Sequence, residues 1–432
     1  MQGFHKRRSL VLFRASLAIR EAAEYTHSIR TSAGRRTREK GLPAMKTATR
    51  NADYTKEYNR KLVLRMLLRE RLSRAELARK TGLTRAAMSV IVDDLLAQGM
   101  LTEMPVEGSA GKGRAPNPLA LREDARLAVG VYLCRDSCQV GLVNLAGRSE
   151  RRLILHREEI QDGEAGLARI AACVEEILAG TETDRSRLLG IGVSCPGPVD
   201  PEAGTLLDPP GFDGWHYLPV ASLLREKTGL PVRLENNAYS LAVKEKNYGE
   251  ARQLEEFMLL LVDTGVGSGL ITHGRLYAGS HGLSGEIGHT SIDFQGDPCP
   301  CGGRGCLDLY AAIPHLLRRY DLPYTAWPDV VRRAREGDKD AAAILAREAE
   351  VLAVGILNAV NFLDMEAVLL DGDILMAFDL LKGPIEEAVN RAGLARRDRR
   401  IQILPASRDA DHRVTAAANI FFERFLTPGL GM

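Results

Sequence analysis

Gly285-Glu286-Ile287-Gly288-His289 and, beginning ten residues after that histidine, Cys299-Pro300-Cys301-Gly302-Gly303-Arg304-Gly305-Cys306 form the stretch on which the reading of this chain turns. Three thiolates and one imidazole make a donor set for a tetrahedral zinc ion, and the interspersed glycines let a short loop fold three sulfurs about one point. His289, Cys299, Cys301 and Cys306 are therefore the expected metal ligands. With all four positions taken by protein, none is left for water, so the zinc is expected to be structural. The chain has seven cysteines in 432 residues, and three lie in this loop. That fits a metal site in a reducing compartment better than a disulfide scaffold.

The residues around the loop are ordinary for a globular protein: 45% hydrophobic and 26% charged, enough for two or three domains. No uninterrupted apolar run reaches about 18 residues, so a spanning helix and a membrane partner are not expected, and the location is expected to be cytoplasmic. The net charge of +2 conceals a division. Residues 1–122 carry 25 Lys/Arg against 11 Asp/Glu, an excess of 14 positive charges; the remainder carries 33 against 45, an excess of 12 negative ones. A basic head on an acidic body suggests that only the head meets a polyanion. Residues 1–50 read as a basic, disordered extension. Ser9–Ile19 is apolar but broken by Arg14 and lacks a small-x-small cleavage site, which argues against a secretory or transit leader. Met45 opens a segment that runs into the next domain, so 1–44 also reads as an upstream start-codon artefact.

Residues 51–122 have the pattern of a winged helix-turn-helix. Leu62, Val63, Met66 and Leu67 recur at helical spacing, and Ser73 with Glu76 is a capping box for a second helix. After Lys80-Thr81-Gly82, Leu83 turns inward and Thr84 caps a third helix through Ala97, with Ala87, Val90, Ile91 and Leu95 expected on its inner face. Two extended pieces, Met100–Glu103 and Ala115–Leu121, flank a glycine-rich basic loop that reads as the wing. A recognition helix of this kind enters the major groove by its N-terminus, which makes Thr84, Arg85, Ala86 and Ser89 the expected base-contacting residues. Lys112 and Arg114 of the wing suit phosphate and a narrow minor groove. The expected partner is a double-stranded operator, and half-site geometry favours a homodimer or tetramer.

Residues 123–432 alternate strands with helices, an α/β body long enough for two lobes. Here a resemblance becomes specific. The Gly-Glu-Ile-Gly-His segment with the Cys-x-Cys-Gly-x-x-Gly-Cys run is similar to the double signature of the ROK family (repressors, open reading frames and sugar kinases). Ile191–Asp200 and Asp263-Thr264-Gly265-Val266-Gly267-Ser268-Gly269 resemble the family's glycine-containing segments. The preceding winged helix resembles that of the family's repressor branch. The resemblance implies an actin-like (ribonuclease H-like), two-lobed body with a sugar cleft, the zinc loop spanning 289–306, and Asn236, Asn237, Glu286, His289 and Asp308 contacting the sugar.

Three departures bear on catalysis. Asn237 stands where the family's kinases carry the aspartate that takes the sugar's proton, and an amide does not act as a base near neutral pH. The first phosphate loop is replaced by Leu133-Cys134-Arg135-Asp136-Ser137, without the glycines that admit phosphate. The adenosine-side Gly-Gly reads Asp371-Gly372-Asp373. Asp308 is also one methylene shorter than the family's glutamate, and Trp215 reads as core. The expectation is a DNA-binding transcriptional regulator, a repressor, that senses a sugar or sugar derivative, contains structural zinc, uses no ATP and is not an enzyme. The alternative is an ATP-dependent sugar kinase with an appended DNA-binding domain; a DNA-bound protein with a vestigial pocket is a third reading.

Overall fold

The computed structural model describes residues 52–105, 117–181, 184–393 and 397–430. The expected N-terminal extension, the wing tip and with it Lys112 and Arg114 lie outside the described residues. Two compact units divide at Thr55 and Lys56. Of the first, only residues 52–55 are described, as the opening turn of a helix; the winged helix and the α/β body lie in the second.

Helices α1 (Ala52–Arg69), α2 (Arg74–Thr81) and α3 (Arg85–Ala97) are followed by a two-stranded antiparallel sheet, β1 (Leu101–Glu103) and β2 (Leu119–Leu121). The capping box is formed: the Ser73 amide donates to Glu76 Oε2 (2.8 Å) and the Glu76 amide to Ser73 Oγ (3.3 Å). Gly82, at φ 72°, makes the left-handed turn that ends α2, and Thr84 Oγ1 accepts from the Ala87 amide (3.2 Å) to start α3. One expectation is corrected. Val90 is 65% exposed, and the inner stripe of α3 is Met88, Ile91, Val92 and Leu95. At 100° per residue those four share one face, whereas Val90 points away from them.

The body holds two five-stranded sheets. In the first, β3 (Leu127–Leu133), β4 (Ser137–Asn144) and β5 (Ser149–His156) form an antiparallel meander; after α4 (Gly163–Ala179), β6 (Leu188–Cys195) joins parallel to β3. A small ribbon, β7 (Val199–Asp200) with β8 (Thr205–Leu206), and helix α5 (Val220–Thr228) precede β9 (Val232–Asn236), which runs parallel to β6. Helix α6 (Asn237–Tyr248) then leads to the second sheet, where β10 (Phe257–Val262), β11 (Val266–Thr272) and β12 (Arg275–Leu276) repeat the meander. Helices α7 (Asp308–Ala311), α8 (Ile313–Arg318), α9 (Trp327–Arg335) and α10 (Lys339–Leu363) come next. Strand β13 (Ala367–Asp371), helix α11 (Phe378–Arg391), strand β14 (Gln402–Pro405) and helix α12 (His412–Leu426) complete the body. The spatial orders are β5-β4-β3-β6-β9 and β12-β11-β10-β13-β14, the same 3-2-1-4-5 pattern twice. That duplication is the actin-like arrangement the resemblance implies.

The layers follow from what each sheet face buries. Helices α4 and α5 cover the outer face of the first sheet, with Trp215 in that core donating from Nε1 to the Ile160 carbonyl (2.8 Å) and stacked on Phe212. Helices α9, α10 and α11 cover the outer face of the second. Between the sheets lie α6 and α12, meeting Tyr132, Phe257, Leu259 and Leu369 through Leu241, Ala242, Ala416 and Ala417. Helix α12 comes close to the first sheet because Gly141, Gly130 and Gly192 stand in register across β4, β3 and β6. A Cβ at Gly130 would strike the Val414 carbonyl, and one at Gly192 the Ala417 carbonyl. The far end of α12 is the floor of the winged helix: Phe421, Phe422 and Leu426 share one core with Val63, Leu64, Leu67, Met88 and Leu95. No helix among the described residues is long and apolar enough to cross a membrane.

Candidate functional site

The start of β11 gathers the cleft. Val266 donates its amide to Asp308 Oδ1 (2.8 Å), fixing that carboxylate at the N-terminus of α7. Gly288, next to His289, rests on the Val266 carbonyl, and Ser268 Oγ donates to the Gly285 carbonyl (2.6 Å), holding the loop that carries Glu286. Ala238, at the start of α6, packs on Gly267 and Gly269 of the same strand. Three segments distant in sequence thus converge on one strand end.

The five expected sugar residues differ in how free they are. Asn237 is buried and engaged: Ser194 Oγ donates to its Oδ1 (2.7 Å), and its Nδ2 donates to the Leu133 carbonyl (3.2 Å). Asn236 Oδ1 caps α6 by accepting from the Ala238 amide (2.8 Å), which leaves its Nδ2 group beside Gly197. Glu286 is open at the cleft mouth yet crowded by protein. Desolvation raises its carboxyl above the usual range, opposed by the neighbouring His289. His289 is exposed; Asp308 is half-buried, with its Oδ2 3.6 Å from His315 Nδ1. Glu235, just before Asn236, is pushed up to about 7 by burial.

The expected metal ligands come together. A ring nitrogen of His289 and the Sγ atoms of Cys299, Cys301 and Cys306 all lie within 4.8 Å of one another. The Cys301–Cys306 sulfur separation is 3.6 Å and that of His289 Nδ1 from Cys299 is 3.7 Å. Tetrahedral ligands at about 2.3 Å from a zinc ion stand about 3.8 Å apart, close to these two separations, so the cluster could hold such an ion. A disulfide would need sulfurs about 2.05 Å apart. Gly302 and Gly305 take φ of 92° and 59°, and a Cβ on Gly303 would come within 3.4 Å of the Cys301 and Cys306 sulfurs. With Nδ1 beside Cys299, Nε2 lies on the other edge of the exposed His289 ring.

At the strand ends beside this cleft, charged side chains of the two lobes meet. Arg135, in the turn between β3 and β4, donates from Nε to the Pro210 carbonyl (2.9 Å) and from Nη1 to Thr264 Oγ1 (3.1 Å), crossing from the first lobe to the second. Arg413 lies over the Tyr132 ring, 5.6 Å from its centroid; burial opposes its charge, and the carboxylates of Asp263 and Asp373 favour it. Burial raises the Asp263 carboxyl, and it pushes Asp371 up to about 6, with the Gly372 amide donating to Asp371 Oδ1 (2.7 Å). Sequence reasoning missed Arg413 and Glu235 as parts of this region, and gave Arg135 and Ser194 no role although both lie in segments it singled out. The only signal for Arg135 was its place in the turn where glycines were expected.

On the winged helix, Thr84, Arg85 and Ala86 are exposed and Ser89 is half-buried. Arg74 and Arg60 are tied in ion pairs to Asp93, Glu103 and Asp94, whereas Arg85 has no such partner among the described residues. A cavity of about 690 Å³ borders Glu286, but Leu270, Leu283, Ile287 and Phe362 make its wall largely apolar, unlike a sugar pocket.

Comparison with known proteins agrees with this architecture. The ROK family model matches residues 130–423, and a MarR family model matches residues 58–115. The chain is 28% identical over 358 residues to a protein named xylose repressor from Caldicellulosiruptor bescii, covering 79% of this chain and 89% of that one. It is 31% identical over 278 residues to a glucokinase of Thermotoga maritima, covering 60% of this chain and 86% of the other. Among solved structures, a ROK family transcriptional regulator described as a homolog of the E. coli MLC protein superimposes with a TM-score of 0.73 at 24% identity, covering 88% of this chain and 98% of that one. Fold, donor cluster and family match agree: this chain belongs to the ROK family and carries a MarR-type winged helix ahead of its ROK body.

Proposed function

We propose that the protein is a sugar-responsive transcriptional repressor that has lost phosphoryl transfer. The observation that carries the reading is the junction at Glu423. Its Oε2 accepts from Asn247 Nδ2 (2.8 Å) at the end of α6, the helix that begins with Asn236 and Asn237 in the cleft. Its Oε1 accepts from Arg65 Nη1 (2.9 Å) on α1 of the winged helix. Lys61 adds Nζ bonds to the Arg424 and Leu430 carbonyls (2.8 Å each). A sugar that moves the start of α6 therefore acts on the helix that positions the recognition helix. For induction it must bind the DNA-incompetent arrangement more tightly, since equal affinity shifts nothing.

In this reading Thr84, Arg85, Ala86 and Ser89, with Lys112 and Arg114, contact a double-stranded operator as a homodimer or tetramer in the cytoplasm. The domains divide as 1–50, 51–122 and 123–432. Asn236, Asn237, Glu286, His289 and Asp308 hold the sugar, and a structural zinc on His289, Cys299, Cys301 and Cys306 orients the imidazole. Loss of kinase activity is supported by the amide at Asn237, the lack of glycine in the first phosphate turn at Leu133-Cys134-Arg135-Asp136-Ser137, and the carboxylates of Asp371 and Asp373 at the adenosine-side segment. The named xylose repressor favours DNA binding, and the glucokinase relative keeps the enzyme reading in play. Fluorescence anisotropy with fragments from the protein's own promoter region, run with and without a panel of pentoses, hexoses and N-acetylhexosamines, tests the first. Sugar-dependent release is expected, and a failure to bind any fragment overturns the proposal. A coupled phosphorylation assay tests the second; turnover above about 1 s⁻¹, the low end for kinases, restores the enzyme reading.

A further inference from the structure

Beside the cleft, a cavity of about 390 Å³ is lined by Arg135, Arg157, Gln161, Gly211, Asp213 and Gly214, among others. Its volume is in the range of small-molecule sites. Arg135 uses Nε and Nη1 on Pro210 and Thr264, which leaves its Nη2 group unengaged. Arg157 is exposed, and its side chain has no hydrogen bond or ion pair among the described residues. Among the described residues Asp213 is the single carboxylate of the lining, against two guanidiniums, so the described lining has a net positive charge. Arg135 links the cavity to the neighbourhood of Asp308. The point where a side chain would begin at Gly265 lies 3.4 Å from Asp308 Oδ1 and 4.0 Å from Arg135 Nη1, so the carboxylate and the guanidinium flank one glycine.

These facts bear on what a ligand must look like. Asp308 and Glu286 accept hydroxyl hydrogens and disfavour an anion at their own end. Arg135, across Gly265 from Asp308, lines a small cavity with Arg157, whose side-chain donors are all free among the described residues, and planar guanidinium groups match carboxylate and phosphate oxygens in pairs. A neutral sugar would leave that donor set facing water. We propose that the cavity is an anion subsite, and that the effector is an acidic sugar derivative, a sugar phosphate or a sugar acid, with its ring against Asp308 and its charged group on Arg135 and Arg157. This rests on the sugar-sensing reading above and narrows it to a ligand class.

The test is isothermal titration of the full chain with matched sets: xylose, glucose and N-acetylglucosamine, each beside its terminal phosphate and its corresponding sugar acid. At least one acidic member is expected to bind 10-fold or more tightly than its neutral parent, and raising the salt from 50 to 500 mM is expected to erode that ratio. The phosphate and acid arms show which anion the cavity takes. Arg157→Gln, on an exposed side chain that leaves folding intact, and Arg135→Met are each expected to bring the acidic-to-neutral ratio close to one. Neutral parents that bind while no acidic member binds more tightly overturn the anion subsite and leave sugar sensing standing. An advantage that survives both substitutions also overturns it. If no member of any set binds, sugar sensing and the subsite fall together.

Discussion

Glu423 provides the sharpest test of how the body speaks to the winged helix. Its carboxylate is shared between Arg65, 358 positions away in sequence, and Asn247, and Thr427 Oγ1 also donates to Oε1. Burial alone would raise its pKa, but Arg65, Asn247 and Thr427 outweigh burial and hold it below the ordinary value. The ionised form is therefore favoured in the folded state. Its stabilisation is full above the unfolded value near 4.3 and is lost as pH falls from there through the lower folded value. Glu423→Gln keeps the shape and removes the charge. Severing a buried pair typically costs 3–5 kcal/mol, but the Arg65 and Glu423 side chains are 17% and 18% exposed, so water recovers part of that. We expect a loss of about 2 kcal/mol at pH 7, shrinking below pH 4. The coupling is measured by a double-mutant cycle of Arg65→Met and Asn247→Ala in urea unfolding. Because both side chains grip one carboxylate, the cycle is expected to leave about 0.5–1 kcal/mol of interaction energy. In the same variants Asn247→Ala is expected to keep operator affinity while losing most of its sugar response. Additivity within about 0.3 kcal/mol, together with an undiminished sugar response in Asn247→Ala, would refute the junction.

Particular contacts set three further outcomes. Gly130→Ala puts a methyl group into the Val414 carbonyl and should cost about 1–3 kcal/mol by denaturant titration; Gly383→Ala, with nothing within 4 Å of its new Cβ, should be neutral or stabilising, and equal effects would discredit the glycine track. Asp371, 3% exposed and pushed up to about 6 by burial, holds its proton more tightly folded than unfolded. The wild type therefore loses stability as pH rises from about 4 to about 6, by about 3 kcal/mol from this group. Asp371→Asn should lack that component, so a pH-independent difference between the two in thermal unfolding between pH 4 and 7 contradicts the assignment. Purified protein should contain about one zinc per chain by metal analysis, with Cys306→Ser losing the metal and unfolding at a lower temperature. A metal-free protein of undiminished stability would remove zinc from the account.

Much of the site was legible because its signals are local. The four candidate metal donors fall within eighteen residues, and glycines between them announce a tight loop. Ser73 and Glu76 sit three apart, so the capping box and the helix it starts could be read directly, as could Thr84. Val90 was misread because an apolar residue on a short helix is ambiguous when neighbouring apolar residues fill two adjacent faces. The Asn-for-Asp replacement at Asn237 was visible, but its hydrogen bonds to Ser194 and Leu133 were not, since those partners come from β6 and β3.

Composition, capping, hydrophobic period and the Cys/His spacing determined, without any structure, that a basic winged helix precedes an α/β body with a Cys/His loop able to hold a metal. These are properties of residues a few positions apart, and a helix turn or a short loop satisfies them at once. Only the tertiary structure decided that the two sheets repeat one strand order, that α12 lies on a track of glycines, and that Arg135 reaches Thr264, 129 positions away. The same holds for the shared carboxylate of Glu423. Such contacts depend on which strand ends and helix faces the packing brings together, and no local periodicity encodes a meeting between residues separated by a hundred positions or more.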